Sequence, residues 1–170
     1  MKQHFEMMAA YNQWANERIY AAATEHEQDA LERNVGAYFK SMIGTLNHIL
    51  VADRIWMRRF TGEGDAPMKL DAILHSPLPA LTIAREAEDR RIVEWISSLD
   101  EEAFAGRFTY VTVTDVRTVS QRLAPALSHL FNHQTHHRGQ AHTIISLLGS
   151  EPPALDLAYF QRTTNWGMFS

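Results

Sequence analysis

Apolar residues recur at helical spacing through most of this chain, and the interruptions between periodic stretches outline its elements. Over residues 3–26, Phe5, Met8, Ala15, Ile19 and Ala22 carry a first helix. Residues 25–36 are charged and end in glycine, which predicts a connection. A second helix is expected over residues 38–60, stopped by Thr61-Gly62-Glu63-Gly64. Gly62, Gly64, Pro67, Pro77 and Pro79 mark residues 61–79 as a long crossover, with room for one helical turn at 71–74. The third helix follows over residues 79–99, begun by Ser76 or Pro77, since proline suits a first turn. Residues 107–119, RFTYVTVTDVRTV, are rich in β-branched and aromatic types and predict a small hairpin bent at Thr114-Asp115. A fourth helix is expected over residues 120–148, ending at Gly149. Pro125 either sets its start near Ala124 or kinks it. After Pro152-Pro153, residues 154–160 have the pattern of a short closing helix.

Four long helices with one long crossover describe an all-α four-helix bundle, with the small hairpin before its last helix. A length of 170 residues fits one domain spanning 1–170. Net charge is −4 and no basic run occurs, so nucleic acid is not an expected partner. The N-terminus lacks the apolar segment of a signal peptide. No apolar run approaches the ~20 residues of a membrane span, and a cytoplasmic protein is expected. Cysteine is absent, which removes thiolate metal sites and a cysteine nucleophile together.

Chemistry enters through the fourth helix. Within about 40° of His137 on its wheel lie Leu123, Ala126, Leu130, His133, Ala141, Ile144 and Leu148. Two imidazoles four residues apart thus sit on a stripe that is otherwise apolar. A buried imidazole needs a hydrogen-bond partner or a metal. Residues at i and i+4 stand roughly 6 Å apart on one face, close enough to share an ion. His129 and His133 form a rival pair at the same spacing, nearer the edge of the apolar face. A pair of core histidines satisfied by backbone or hydroxyl groups is the plain alternative.

A third ligand is expected from a facing helix, and His48 is the candidate. Its stripe holds Gly44, Thr45, Val51, Ala52 and Ile55, with Gly44 and Ala52 leaving room beside it. Lys40, Asn47, Arg54 and Arg58 gather about 100° away and read as a solvated face. Arg59, close by, is explained by the same solvated face. His136 and His142 point off the apolar stripe, and His4, His26 and His75 lie near termini or loops. Neither HExxH nor Glu-x-x-His occurs, so zincin and di-iron carboxylate frameworks are unsupported. Three imidazoles with an open position suit a catalytic ion, with nickel, iron and copper as acceptable as zinc. Asn47, Gln134 and Gln140 are the nearby groups able to orient the rings.

The segments HLFNHQTHHRGQAHTII (129–145), LNHILVADRIWMRRF (46–60) and YNQWANERI (11–19), with the tail PPALDLAYF (152–160), resemble the DinB family over nearly the whole chain. That resemblance implies an up-down-down-up bundle, commonly homodimeric, binding one divalent ion through three histidines. On this sequence those ligands fall on His48, His133 and His137. Zinc or nickel is the expected ion, with iron and manganese as further candidates. The implied activity is that of a metal-dependent hydrolase, or of a transferase using a low-molecular-weight thiol on a small-molecule substrate. A non-catalytic metal-binding bundle, acting as a sensor or interaction module, is the alternative. Trp14, Trp95 and Trp166 are the aromatics expected to contribute to a dimer interface.

Overall fold

The computed structural model of the protein describes residues 1–112 and 116–167. The long helices are α1 (Lys2–Ala23), α3 (Met42–Thr61), α4 (Leu78–Ser98) and α5 (Leu123–Leu147). Shorter elements are α2 (Gln28–Glu32), a 3-10 turn at Glu102–Ala105, and α6 (Leu157–Thr164). Strands β1 (Arg107–Val111) and β2 (Thr118–Arg122) pair antiparallel, with Arg107 opposite Arg122 and Val111 opposite Thr118. The expected bend at Thr114-Asp115 lies outside the described residues.

Local signals account for the boundaries. The Ser41 side chain accepts from Gly44 N at 3.1 Å and caps α3, which ends at left-handed Gly62. At the end of α5, Gly149 N bonds Ser146 O and Ser150 N bonds Ile145 O, a Schellman arrangement with Gly149 at φ 95°. The start of α5 differs from expectation. Residues 120–122 belong to β2, because their backbone is committed to β1. The helix begins at Leu123, which puts Pro125 in the first turn, where its missing N–H costs no bond and causes no kink.

The connection over 25–36 contains the single turn of α2, held by buried Leu31. The crossover forms no helical turn at 71–74, for Asn47 organises it instead. The Asn47 carbonyl accepts from Leu74 N and His75 N at 2.7 and 3.1 Å, while its amide donates to His75 O at 2.9 Å. Asn47 is therefore fully buried, and its assignment to a solvated face is corrected. A polar side chain there satisfies backbone that would otherwise be buried without partners. Trp14 and Trp95 are half-buried inside the chain, against Phe160 and Phe60 respectively.

Two apolar clusters fill the bundle, one at each end. One joins Ile19 and Ala23 of α1 to Leu46, Leu81 and Ile144. The other joins Phe5 and Ala9 of α1 to Trp56, Ile96, Leu127 and Phe131. The early turns of α1 and α5 thus meet the late turns of α3 and α4. That is the up-down-down-up order, with the crossover spanning the length of the bundle between parallel α3 and α4.

Between the clusters lies a belt of buried polar side chains drawn from all four long helices. Arg85 of α4 bonds Asp53 of α3 at 2.7 Å and Asp89, one turn on, at 3.0 Å. Asp89 accepts from Asn16 and Asn12 of α1 at 3.0 and 3.3 Å. Arg138 of α5 donates to the carbonyls of both asparagines, at 2.5 and 3.0 Å. Gln134 of α5 closes the ring by donating to Asp53. All seven residues are at most 3% exposed. Two carboxylates face two guanidiniums, so the belt is neutral overall. Burial pushes the Asp53 carboxyl up to about 6, against the pull of Arg85, which leaves it ionised at neutral pH.

Removing one member strands the others. Arg85→Met leaves Asp53 and Asp89 without their shared cation, and a loss of about 3–5 kcal/mol in unfolding free energy is expected. Urea denaturation measures it. A loss under about 1 kcal/mol would show that the belt contributes little.

Candidate metal centre

α3 and α5 run antiparallel, side by side, and this brings His48 opposite the pair His133 and His137. His48 is buried, and the other two are half-buried. The Nε2 atom of His48 lies 3.2 Å from Nε2 of His133 and 3.2 Å from Nε2 of His137. Among the described residues these three form the one group of His, Cys, Asp or Glu whose donor atoms sit close enough for a shared ion.

Hydrogen bonds on the far side of two rings settle where their protons are. His48 Nδ1 is 2.7 Å from the carbonyl of Leu70, which can only accept, so Nδ1 carries the hydrogen. His137 Nδ1 donates likewise to the side-chain carbonyl of Gln140 at 2.8 Å. The neutral rings therefore present bare Nε2 lone pairs to each other at 3.2 Å, an arrangement that is repulsive unless a cation lies between them. His133 Nδ1 is buried with no protein partner among the described residues. Of the three groups expected to orient the rings, Gln140 does so. Gln134 is committed to Asp53, and Asn47 to the crossover.

The donor set fits a divalent transition metal. Four nitrogens arranged tetrahedrally around an ion at 2.0–2.1 Å stand about 3.3 Å apart, close to the two separations found. Burial pushes His48 down to about 4, opposed by its bond to Leu70, and His133 down to about 3. Burial also lowers His137, with Gln140 opposing. All three are neutral at pH 7, the state in which imidazole binds metal.

The surroundings hold His48 rigidly. Phe39 stacks on its ring with centroids 3.8 Å apart and planes 17° from parallel. Gly44 makes this contact accessible. A Cβ there would lie 2.0 Å from the Phe39 carbonyl oxygen, so the space expected beside His48 is occupied by backbone. A cavity of about 650 Å³, lined by Tyr38, Phe39, Lys40, Asp71 and Ile73, opens onto the three histidines. A second concavity of about 540 Å³ also reaches His48 and His133, and Leu70 lines both.

The remaining histidines stay apart from the group. His129 is exposed, with its ring 5.1 Å from that of Trp56 and 5.9 Å from that of His133, so the rival pair does not converge. His136 is exposed beside His137. Three contributors escaped the sequence reading. Phe39, expected within a helix over 38–60, instead precedes α3, which starts at Met42, and the Leu70 carbonyl comes from the irregular crossover, where no periodicity points inward. Asp53 was hidden because its partner lies 32 residues away.

The DinB family model matches residues 1–168. Protein DinB of Bacillus subtilis (strain 168) is 23% identical over 166 residues, covering 94% of this chain and 89% of that protein.

Two outcomes test the site's construction. In metal-free protein, stability should fall as pH drops from about 6.5 towards about 4. The unfolded chain takes up protons at the ordinary histidine pKa, whereas native His48 and His133 resist them until about 4 and about 3. Melting temperature against pH measures this, and His48→Gln should flatten the dependence. Gly44→Ala should cost about 1–3 kcal/mol by forcing the Phe39 backbone away. Loss of the Phe39 ring-current shift on the His48 ring protons would report the displacement.

Proposed function

The chain belongs to the DinB family, and on that footing we propose that it is a divalent-metal-dependent enzyme acting on small molecules. His48, His133 and His137 are the protein ligands in this reading, and zinc or nickel is the favoured ion. The observation that carries it is the pair of bare, facing nitrogen lone pairs beside an open cavity. A structural ion is normally enclosed by four protein ligands, while a catalytic one keeps a position for water or substrate. No fourth His, Asp or Glu joins the three imidazoles among the described residues, which supports catalysis over a sensing or purely structural role.

A divalent ion held there supplies Lewis acidity, lowering the pKa of a water or thiol at its open position towards neutrality. The chain's own residues do the rest. Leu70 and Gln140 fix the ring tautomers, Phe39 shields one face of His48, and Lys40 and Asp71 place charge in the wall of the larger cavity. Two concavities meeting at His48 and His133 favour group transfer between two small molecules over hydrolysis, which needs one organic substrate only. Since the chain has no cysteine, the nucleophile in this reading is a low-molecular-weight thiol.

Protein purified without a histidine tag should contain about one equivalent of divalent transition metal per chain. His48→Ala, His133→Ala and His137→Ala should each reduce it below about a tenth while leaving the helical circular dichroism intact. Metal-dependent conjugation of a cysteine-type thiol to a chlorodinitrobenzene acceptor, lost on chelation and restored by the ion, would support transfer. Thiol-independent cleavage of a nitrophenyl ester would replace it with hydrolysis.

A further inference from the structure

The smaller concavity has features that the metal reading leaves unused. On its wall, the Arg59 guanidinium lies in the corner made by two rings in edge contact, 4.6 Å from the centroid of Trp56 and 4.4 Å from that of Tyr110. Among the described residues its one hydrogen bond is a 3.3 Å contact from Nη2 to the Val111 carbonyl. Three arginines of the bundle have carboxylate partners, Arg54 and Arg91 on Glu88 and Arg85 on Asp53 and Asp89, while Arg138 is satisfied by the carbonyls of Asn12 and Asn16. Arg59 has no carboxylate partner among the described residues, and no Asp or Glu there lines this concavity. Thr112, Gln121 and His129 add polar groups to the wall, Gln121 bonding Tyr110 Oη at 3.2 Å.

We infer that this concavity is a binding subsite for a small carboxylate with a flat apolar body, whose anionic group pairs with Arg59. A guanidinium seated against two rings keeps the edge turned away from them free to donate, and a carboxylate matches that edge with two parallel hydrogen bonds. Stacking also prevents the side chain from swinging away, so little freedom is lost on binding. Trp56, Tyr110 and Ile55 offer the apolar surface for the body of the ligand. A volume of about 540 Å³ lies within the usual range for a small-molecule site. His48 and His133 line the same concavity, so a ligand anchored on Arg59 shares it with two residues of the candidate metal centre. The assignment as a substrate subsite rests on the proposed enzymatic function, whereas binding by Arg59 does not require the ion.

Phenylacetate and its neutral isostere phenylacetamide are suitable probes, titrated into the full chain by calorimetry in chelator-treated and zinc-loaded forms. Metal-free protein should bind phenylacetate in the millimolar range or tighter, at least about tenfold more strongly than the amide. Arg59→Gln should abolish that preference without changing melting temperature or zinc content. Arg59→Lys should retain part of it, because the charge survives while the planar edge does not. Equal binding of the two probes, no saturable binding of either, or undiminished phenylacetate binding by Arg59→Gln would each overturn the inference. A preference that appears only with zinc and ignores Arg59 overturns it as well, and assigns the carboxylate to the metal. If no variant or preparation retains metal but the Arg59-dependent preference stands, the metal reading fails and the subsite survives.

Discussion

Asp53, Arg85, Asp89 and Arg138 carry four formal charges into a region that water does not reach, and there they must neutralise one another. This requirement constrains the whole bundle. Each long helix contributes at least one member, so sliding any helix by one turn, about 5.4 Å, would strand a charge. Apolar packing alone tolerates such slips more easily, because leucines and isoleucines find comparable neighbours a turn away. The histidine group inherits its alignment from the belt. Gln134, which reaches Asp53, is the immediate neighbour of His133, and Asp53 is five residues beyond His48. One interhelical contact thus sets α3 against α5 beside the place where their imidazoles meet.

The helices and the histidine group were largely readable from residue spacing, and the reason is physical. Periodic burial leaves a periodic trace, and His133 and His137 stand out because two polar residues interrupt an apolar stripe. The same trace exists for the belt. Asn12 and Asn16 interrupt the stripe of Phe5, Ala9, Ile19 and Ala23, while Arg85 and Asp89 interrupt that of Leu78, Leu81, Ile92 and Ile96. All three pairs are spaced i, i+4 and face inward. Weighing only the histidines as buried found the candidate metal centre and missed the network supporting it. Asn47 shows the converse error. It shares a face with Arg54 and Arg58, but the crossover folds over that end of α3 and buries it, which helix spacing alone does not report.

The centre is only partly a product of the regular bundle. The helices deliver three Nε2 atoms to one place, and an irregular segment then decides which nitrogen of His48 bears the proton. Asn47 ties the crossover to α3 through Leu74 and His75, and Leu70, a few residues earlier, aims its carbonyl at His48. Phe39 does similar work from the segment before α3, packed so closely that only glycine fits at position 44. Two non-helical stretches therefore brace the one ligand that stands alone on its helix, whereas on α5 His137 relies on Gln140 from the same helix.

Leu70 divides its labour between main chain and side chain. The carbonyl that aims His48 belongs to the peptide backbone and would be present whatever amino acid stood there. The isobutyl group is a separate matter, for it is exposed on a residue that lines both chambers. Selection acting on this one codon can enlarge, trim or polarise the residue at that shared border while the imidazole keeps its anchor. Relatives of this chain thus have a route to new ligand preferences that never passes through loss of the ion.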